Sequence, residues 1–242
     1  MYKNVQRKET EEYYSKYYSK MMERWKRSAD SRPIIFRKLN VHKLNKKTIL
    51  DVGCGNGILM KNLELTKKNE VHGIDISKPL LKEAKKYNIK TLFYDVDKRG
   101  NLPYPKEYFD VIFLVEIVEH IFYPKGLFKK CYKILKPNGK IYMTIPNGLQ
   151  PDKKQHIQEM LEKTLEKIYK KRIPEKAKRF PDLNIITIHE IKRILKQTGF
   201  KLKELYGWRW KWEQVSSKER KHMWLNPLKA RDLLLVIEKA KK

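Results

Sequence analysis

Residues Thr48 to Leu59, TILDVGCGNGIL, constrain this chain more than any other stretch. An apolar run, Ile49, Leu50 and Val52, stops at the glycine-rich turn Gly53-Cys54-Gly55-Asn56-Gly57, and a helical pattern follows. A buried parallel strand, a turn where backbone must approach a ligand, and a helix start give this order. Gly53 and Gly55 suit turns that a β-carbon would obstruct, and Gly57 suits close packing of the helix on the strand. The spacing is G-x-G-x-G. It lacks the G-x-x-G ending of a dinucleotide fingerprint and the Lys-Ser/Thr of a phosphate-binding loop. Asp51 stands just before the turn, where a carboxylate would repel a pyrophosphate. It suits a cationic ligand group.

The next stretch, Glu70-Val-His-Gly-Ile-Asp75-Ile76, reads as a second strand ending in an acid. An acid at that tip is placed to accept both hydroxyls of a ribose. An acid closing a buried strand needs a partner, which favours a ligand there over a purely structural acid. Here the chain resembles the class I S-adenosylmethionine-dependent methyltransferases. DVGCGNG is similar to their cofactor loop and GIDIS to their ribose-binding strand end. Asp95-Val96, after Thr91-Leu-Phe-Tyr94, resembles the third strand end that reads adenine. Residues 102–121, LPYPKEYFDVIFLVEIVEHI, resemble the fourth strand and its approach, and 131–147, CYKILKPNGKIYMTIPN, the next helix, turn and fifth strand. The resemblance spans roughly residues 45 to 205.

It implies a Rossmann-like α/β fold. The expected sheet has seven mainly parallel strands with helices on both faces, an N-terminal helical cap and a basic helical insertion after the fifth strand. The cap would be 1–44 and the methyltransferase domain 45–242, with the insertion at 151–183, effectively one domain. It also implies S-adenosylmethionine as cofactor. Asp51, Gly53, Gly55 and Gly57 would serve its methionine end. Asp75 would take the ribose, with Ile76 against the adenine face. Asp95, with Val96, would take the adenine amino group, and Asp97 is the alternative.

Strands are expected at 48–52, 70–75, 90–94, 109–115 and 140–145, with helices at 57–65, 77–87, 118–122 and 124–136. Such alternation implies right-handed crossovers and a covered parallel sheet. Asn138-Gly139 should supply positive φ in a turn. Upstream, 5–29 reads as an amphipathic helix bearing Tyr13, Tyr14, Tyr17, Tyr18, Met21, Met22 and Trp25, and 34–44 as a second short helix. Downstream, 152–172 reads as a basic amphipathic helix that packs on the domain edge or covers a substrate. Thr187-Ile-His-Glu190 has capping-box form and opens a helix closed by Gly199. Two antiparallel strands, at 200–207 and 233–237, should end the fold.

Among the 242 residues, 56 are Lys or Arg and 28 are Asp or Glu, a formal charge of +28. That surplus fits a lysine-rich proteome equally with an anionic partner: RNA, an anionic membrane surface or an anionic small-molecule acceptor. No apolar run reaches the about 18 residues of a membrane span. Two cysteines, Cys54 and Cys131, give no disulfide framework, and a cytoplasmic location fits.

Glu116-Ile-Val-Glu119-His120 follows the fourth strand, at the edge where substrates bind. Two carboxylates and an imidazole this close could gather Mg²⁺ or Mn²⁺. Alternatively His120 acts without metal, as general base or positioning group. The pattern resembles the E-x-x-E-H of ubiquinone-biosynthesis-type O-methyltransferases and of small-RNA 2′-O-methyltransferases. For a fourth ligand the candidates are Asp182, then His156 and His189. Trp208-Arg-Trp-Lys-Trp212 interleaves aromatic and basic residues, which suits base stacking, lipid headgroups or burial at a sheet edge. The expected activity is methyl transfer to an O or N of a small-molecule acceptor. The alternatives are 2′-O methylation of RNA, and a binding module that keeps the fold without turnover.

Overall fold

The computed structural model describes residues 32–148, 186–208, 227, 230 and 232–240. The described residues form one seven-stranded sheet. The strands are β1 (Thr48–Val52), β2 (Glu70–Asp75), β3 (Lys90–Phe93), β4 (Phe109–Val115), β5 (Leu135–Pro146), β6 (Phe200–Trp208) and β7 (Asp232–Lys239). Their order in space is β3-β2-β1-β4-β5-β7-β6. β1 to β5 run parallel, and β7 lies antiparallel between β5 and β6. The order reverses between β1 and β4, which opens a crevice at their carboxyl ends.

Both sheet faces are covered, so the central strands are apolar on both sides. In β4, Ile112 and Leu114 join one core cluster, while Val111, Phe113 and Val115 join the other. The first cluster receives Leu127, Phe128 and Cys131 of α4 (Pro124–Ile134) and Ile188, Ile191 and Leu195 of α5 (Ile188–Thr198). The second receives Ile35 and Phe36 of α1 (Arg32–Lys38), Leu59 and Met60 of α2 (Ile58–Asn62), and Ala84 of α3 (Lys78–Lys85). Phe36 meets Phe113 edge-on at 5.6 Å between ring centroids, so the start of the chain's described part is fixed to the sheet.

Several expected elements are shorter than their apolar pattern. The helix expected at 57–65 stops at Asn62, because Glu64 takes a left-handed conformation (φ 56) ahead of a 3-10 turn at Leu65–Lys67. Residues 34–44 divide likewise, with left-handed Asn40 between α1 and a 3-10 turn at Val41–Lys43. The segment expected to be a helix at 118–122 is a single 3-10 turn, Val118–His120. The register of β4 on β5 jumps from Phe109↔Leu135 to Val111↔Lys140, so Lys136–Gly139 forms an excursion within β5. Asn138 has positive φ there (61°), but Gly139 does not. Gly139 is needed for space: a β-carbon would lie 2.7 Å from Leu135 Cγ and 2.9 Å from the Lys136 carbonyl oxygen.

The capping box forms as its sequence pattern predicts. The Thr187 hydroxyl accepts from the Glu190 amide, the Glu190 carboxylate accepts from the Thr187 amide, and left-handed Gly199 closes α5. The amphipathic helices expected at 5–29 and 152–172, Asp182 and His156, and most of the WRWKW stretch lie outside the described residues.

Candidate functional site

The end of β1 and the glycine turn are held against β2, because the Gly53 and Cys54 amides donate to the Ile74 carbonyl at 2.8 and 3.1 Å. Gly53 and Gly57 both need left-handed backbone, with φ of 72° and 74°. A β-carbon on Gly53 would come within 2.9 Å of Ile117 Cδ1. On Gly57 it would come within 2.4 Å of Ile89 Cδ1 and 3.1 Å of Ala84 Cβ. Gly57 therefore serves the approach of α3 and the segment before β3, not the helix-on-strand contact its position suggested. Asp51 is buried within β1. Cys54 is buried beside it, and burial, then the Asp51 and Asp75 carboxylates, push its thiol well above the ordinary range. The thiol stays protonated and unreactive.

Asp75 ends β2 half-buried. Its Oδ2 accepts from the Gly55 amide at 2.9 Å and its Oδ1 from the Ser77 amide at 2.8 Å. The glycine turn and the tip of β2 thus form one unit. Burial raises the Asp75 pKa, and these amide bonds only partly oppose it. Ile76 is half-buried beside it, and Val96 likewise on the loop after β3. The sequence left Asp95 and Asp97 as alternatives, and their partners distinguish them. Asp97 accepts from the Phe122 and Tyr123 amides at 2.9 and 3.1 Å, so its carboxylate ties two segments of chain together. Asp95 accepts from the Asp97 amide at 2.8 Å in a local turn.

Beyond β4 the chain turns sharply at Glu116, a non-glycine residue in left-handed conformation (φ 50). Such backbone is held only where surrounding contacts fix it. Here the Glu116 amide donates to the Thr144 carbonyl at 3.1 Å, and the Thr144 hydroxyl donates to Glu116 Oε1 at 2.6 Å. Ile117 then lies against Gly53. Glu119 is buried, with Oε1 3.8 Å from Nε2 of half-buried His120.

Among the described residues, no three His, Cys, Asp or Glu side chains form a group that could hold a metal ion. Glu116 is turned onto β5 by Thr144, while Glu119 and His120 face one another. His189 is exposed on α5. Sequence reasoning missed Thr144, Ile117 and the tie made by Asp97. A hydroxyl on the strand neighbouring the acidic segment was the only signal for Thr144, and nothing in the sequence marked the other two.

A family model described as a methyltransferase domain matches residues 16–205. The chain belongs to the methyltransferase domain family. Ubiquinone biosynthesis O-methyltransferase of Proteus mirabilis is 32% identical over 106 residues, covering 42% of each chain. Its counterpart in Nitrosococcus oceani is 36% identical over 124 residues, covering 49% of this chain and 52% of that one. The chain spans about half the length of the curated relatives it matches. Solved structures share its fold. A SAM-dependent methyltransferase from Archaeoglobus fulgidus superposes with a TM-score of 0.60 at 18% identity, covering 92% of this chain and all of that one. One from Methanosarcina mazei superposes with a TM-score of 0.58, also at 18% identity, covering 84% and 97%.

The residues present fit the family's cofactor. A carboxylate fixed by two backbone amides stands at the β2 tip, tied to the glycine turn. No helix among the described residues is long and apolar enough to cross a membrane.

Proposed function

We propose that the chain is an S-adenosylmethionine-dependent methyltransferase acting on an oxygen or nitrogen of a small-molecule acceptor. The observation that carries this reading is the Asp75 carboxylate, fixed by the Gly55 and Ser77 amides at the crevice where the strand order reverses. When bound, S-adenosylmethionine supplies a methyl group on a positively charged sulfur, an electrophile that needs an aligned nucleophile. The chain's task is then to bind, orient and exclude water.

In this reading Asp75 accepts from the ribose hydroxyls through the lone pairs its two amide bonds leave open. Ile76 and Val96 supply apolar contact to the base, and Asp95 accepts from its amino group. Asp51 and the backbone at Gly53, Gly55 and Gly57 hold the methionine end. The carboxylates of Asp51, Glu116 and Glu119 favour an acceptor whose reacting end carries no negative charge. His120 takes the proton from the acceptor, and buried Glu119 stabilises the imidazolium that results. Thr144 and Glu116 fix the turn that presents this pair. The likeness to ubiquinone biosynthesis O-methyltransferases supports an oxygen as the accepting atom.

The test supplies S-adenosylmethionine labelled at the methyl group, with small-molecule and RNA fractions offered separately. Label should enter the small-molecule fraction. Replacing His120 by Asn should lower kcat by about 10²–10⁴-fold and leave cofactor affinity unchanged. Label in RNA alone would replace this reading with the RNA one. Cofactor binding with no transfer in either fraction would leave a binding module.

A further inference from the structure

The loop after β3 is fastened to the acceptor side of the site more firmly than a connecting loop requires. Asp97 Oδ2 accepts from the Phe122 amide at 2.9 Å and Oδ1 from the Tyr123 amide at 3.1 Å. Those amides lie immediately before α4, where Tyr123 provides no side-chain cap of its own. Asp97 thus serves from a distant loop as the anionic cap that a helix start favours. Lys130, near the middle of α4, reaches back. Its Nζ donates to the carbonyls of Val96 and Lys98, each at 2.6 Å. Lys133 Nζ donates to Asn101 Oδ1 at 2.8 Å, and the Tyr94 hydroxyl to the Asn101 carbonyl at 2.8 Å. The same loop carries Asp95 and Val96, and Asp95 is bonded to the Asp97 amide.

The segment between β4 and α4 is therefore gripped at both ends by cofactor-side elements. Ile117 presses on Gly53 at one end, and Phe122 and Tyr123 hang on Asp97 at the other. Glu119 and His120 lie between. We propose that Asp97, supported by Lys130, is a positioning residue that couples filling of the cofactor site to ordering of the Ile117–Tyr123 segment. Binding the adenine end fixes Asp95 and Val96, this fixes Asp97, and the segment bearing His120 settles with it. The coupling is reciprocal, so an acceptor held by His120 tightens the cofactor in turn. It rests on the cofactor reading above.

Hydrogen exchange tests it, with S-adenosylhomocysteine as the probe and binding followed separately by calorimetry. In the wild-type chain the probe should slow exchange of the 94–99 amides and also of the Ile117, Val118 and His120 amides. In Asp97→Asn the slowing at 94–99 should persist, while that at 117–120 should fall roughly tenfold or more, the scale of one hydrogen bond to a charged acceptor. A cap with only a structural role would speed exchange at Phe122 and Tyr123 equally with and without the probe, leaving the slowing at 117–120 intact. That result overturns the coupling. If Asp97→Asn does not fold, Lys130→Met replaces it, and undiminished slowing at 117–120 in that variant has the same force. A probe that binds the wild type without slowing 117–120 also overturns the coupling and leaves the cofactor reading standing. A probe that does not bind the wild type overturns both.

Discussion

The two edges of this sheet differ in charge and in how that charge is held. At the carboxyl edge stand Asp51, Asp75 and Glu116, with Asp95, Asp97 and Glu119 in the segments that follow. All are buried or half-buried, and the bonds described above go to backbone amides or to a neighbouring hydroxyl. At the amino edge the strands are entered through lysines: Lys46 and Lys47 before β1, Lys68 before β2, Lys90, Lys106 before β4, Lys140 and Lys201. All of these are exposed, and the acids among them form ion pairs facing solvent, such as Asp110 with Lys136 at 3.0 Å. Among the described residues, the acids at the carboxyl edge are withdrawn from solvent and the lysines at the amino edge are solvated. Desolvated groups at one edge specify geometry, whereas solvated groups at the other set only the field.

The sharpest break of this comparison is Gly57→Ala. Left-handed backbone and a β-carbon 2.4 Å from Ile89 Cδ1 should together cost roughly 2–4 kcal/mol of stability, measured by denaturant unfolding. A cost below about 0.5 kcal/mol would mean that the carboxyl edge tolerates change as the amino edge does.

Asp75→Ala should come next, lowering S-adenosylhomocysteine affinity by on the order of 1.5–3 kcal/mol in calorimetry. Burial raises the Asp75 pKa, so its ionised form costs folding free energy. That cost is absent below the unfolded value of about 3.9, grows as pH rises above it and is complete once pH has passed the folded one. Binding needs the ionised form. Affinity should therefore weaken on acidification from a pH above the ordinary aspartate range, and this pH dependence should vanish in Asp75→Asn.

Glu70 is the exception at the amino edge, since Oε1 accepts from His72, Lys90 and Tyr108 together. The Lys90 and His72 bonds hold its pKa down to about 2. The sign is opposite to that of Asp75: the stabilisation is complete above the unfolded glutamate value and is lost as pH falls through about 2. The side chain is 38% exposed, so screening keeps the loss in Glu70→Gln to about 1 kcal/mol or less, read from thermal unfolding at neutral pH. The smallest effect belongs to Lys46, Lys47 and Lys68 replaced together by Gln. Stability should move by less than about 0.5 kcal/mol and cofactor affinity should not change. A large loss of either would show that the lysine edge shapes the site.

Most of the sheet was legible because buried strands announce themselves as apolar runs, as β1 and β4 do, while β2 was marked by the acid that ends it. The short helices were not, because backbone at Glu64 and Asn40 leaves the helical region where the side-chain pattern continues. Within the site, the glycines and Asp75 follow from local chain geometry. The duty of Asp97 depends on amides 25 and 26 residues away, and the turn at Glu116 on a hydroxyl 28 residues away. No local pattern carries such contacts. The spacing of Glu116, Glu119 and His120 did not show that Thr144 draws Glu116 onto β5 while Glu119 and His120 face one another.

β7 follows every other strand in the chain, yet it lies inside the sheet, paired with β5 over Lys140–Pro146 and with β6 over Phe200–Trp208. During synthesis the edge of β5 must wait, unpaired, until residue 239 has been made. Among the described residues β6 has no strand neighbour but β7, so it cannot join the sheet before β7 does. That order makes the last strand a closing stave. Until it is inserted, the row of free amides and carbonyls along β5, flanked by Ile141, Met143 and Ile145, is an open edge to which another molecule can pair.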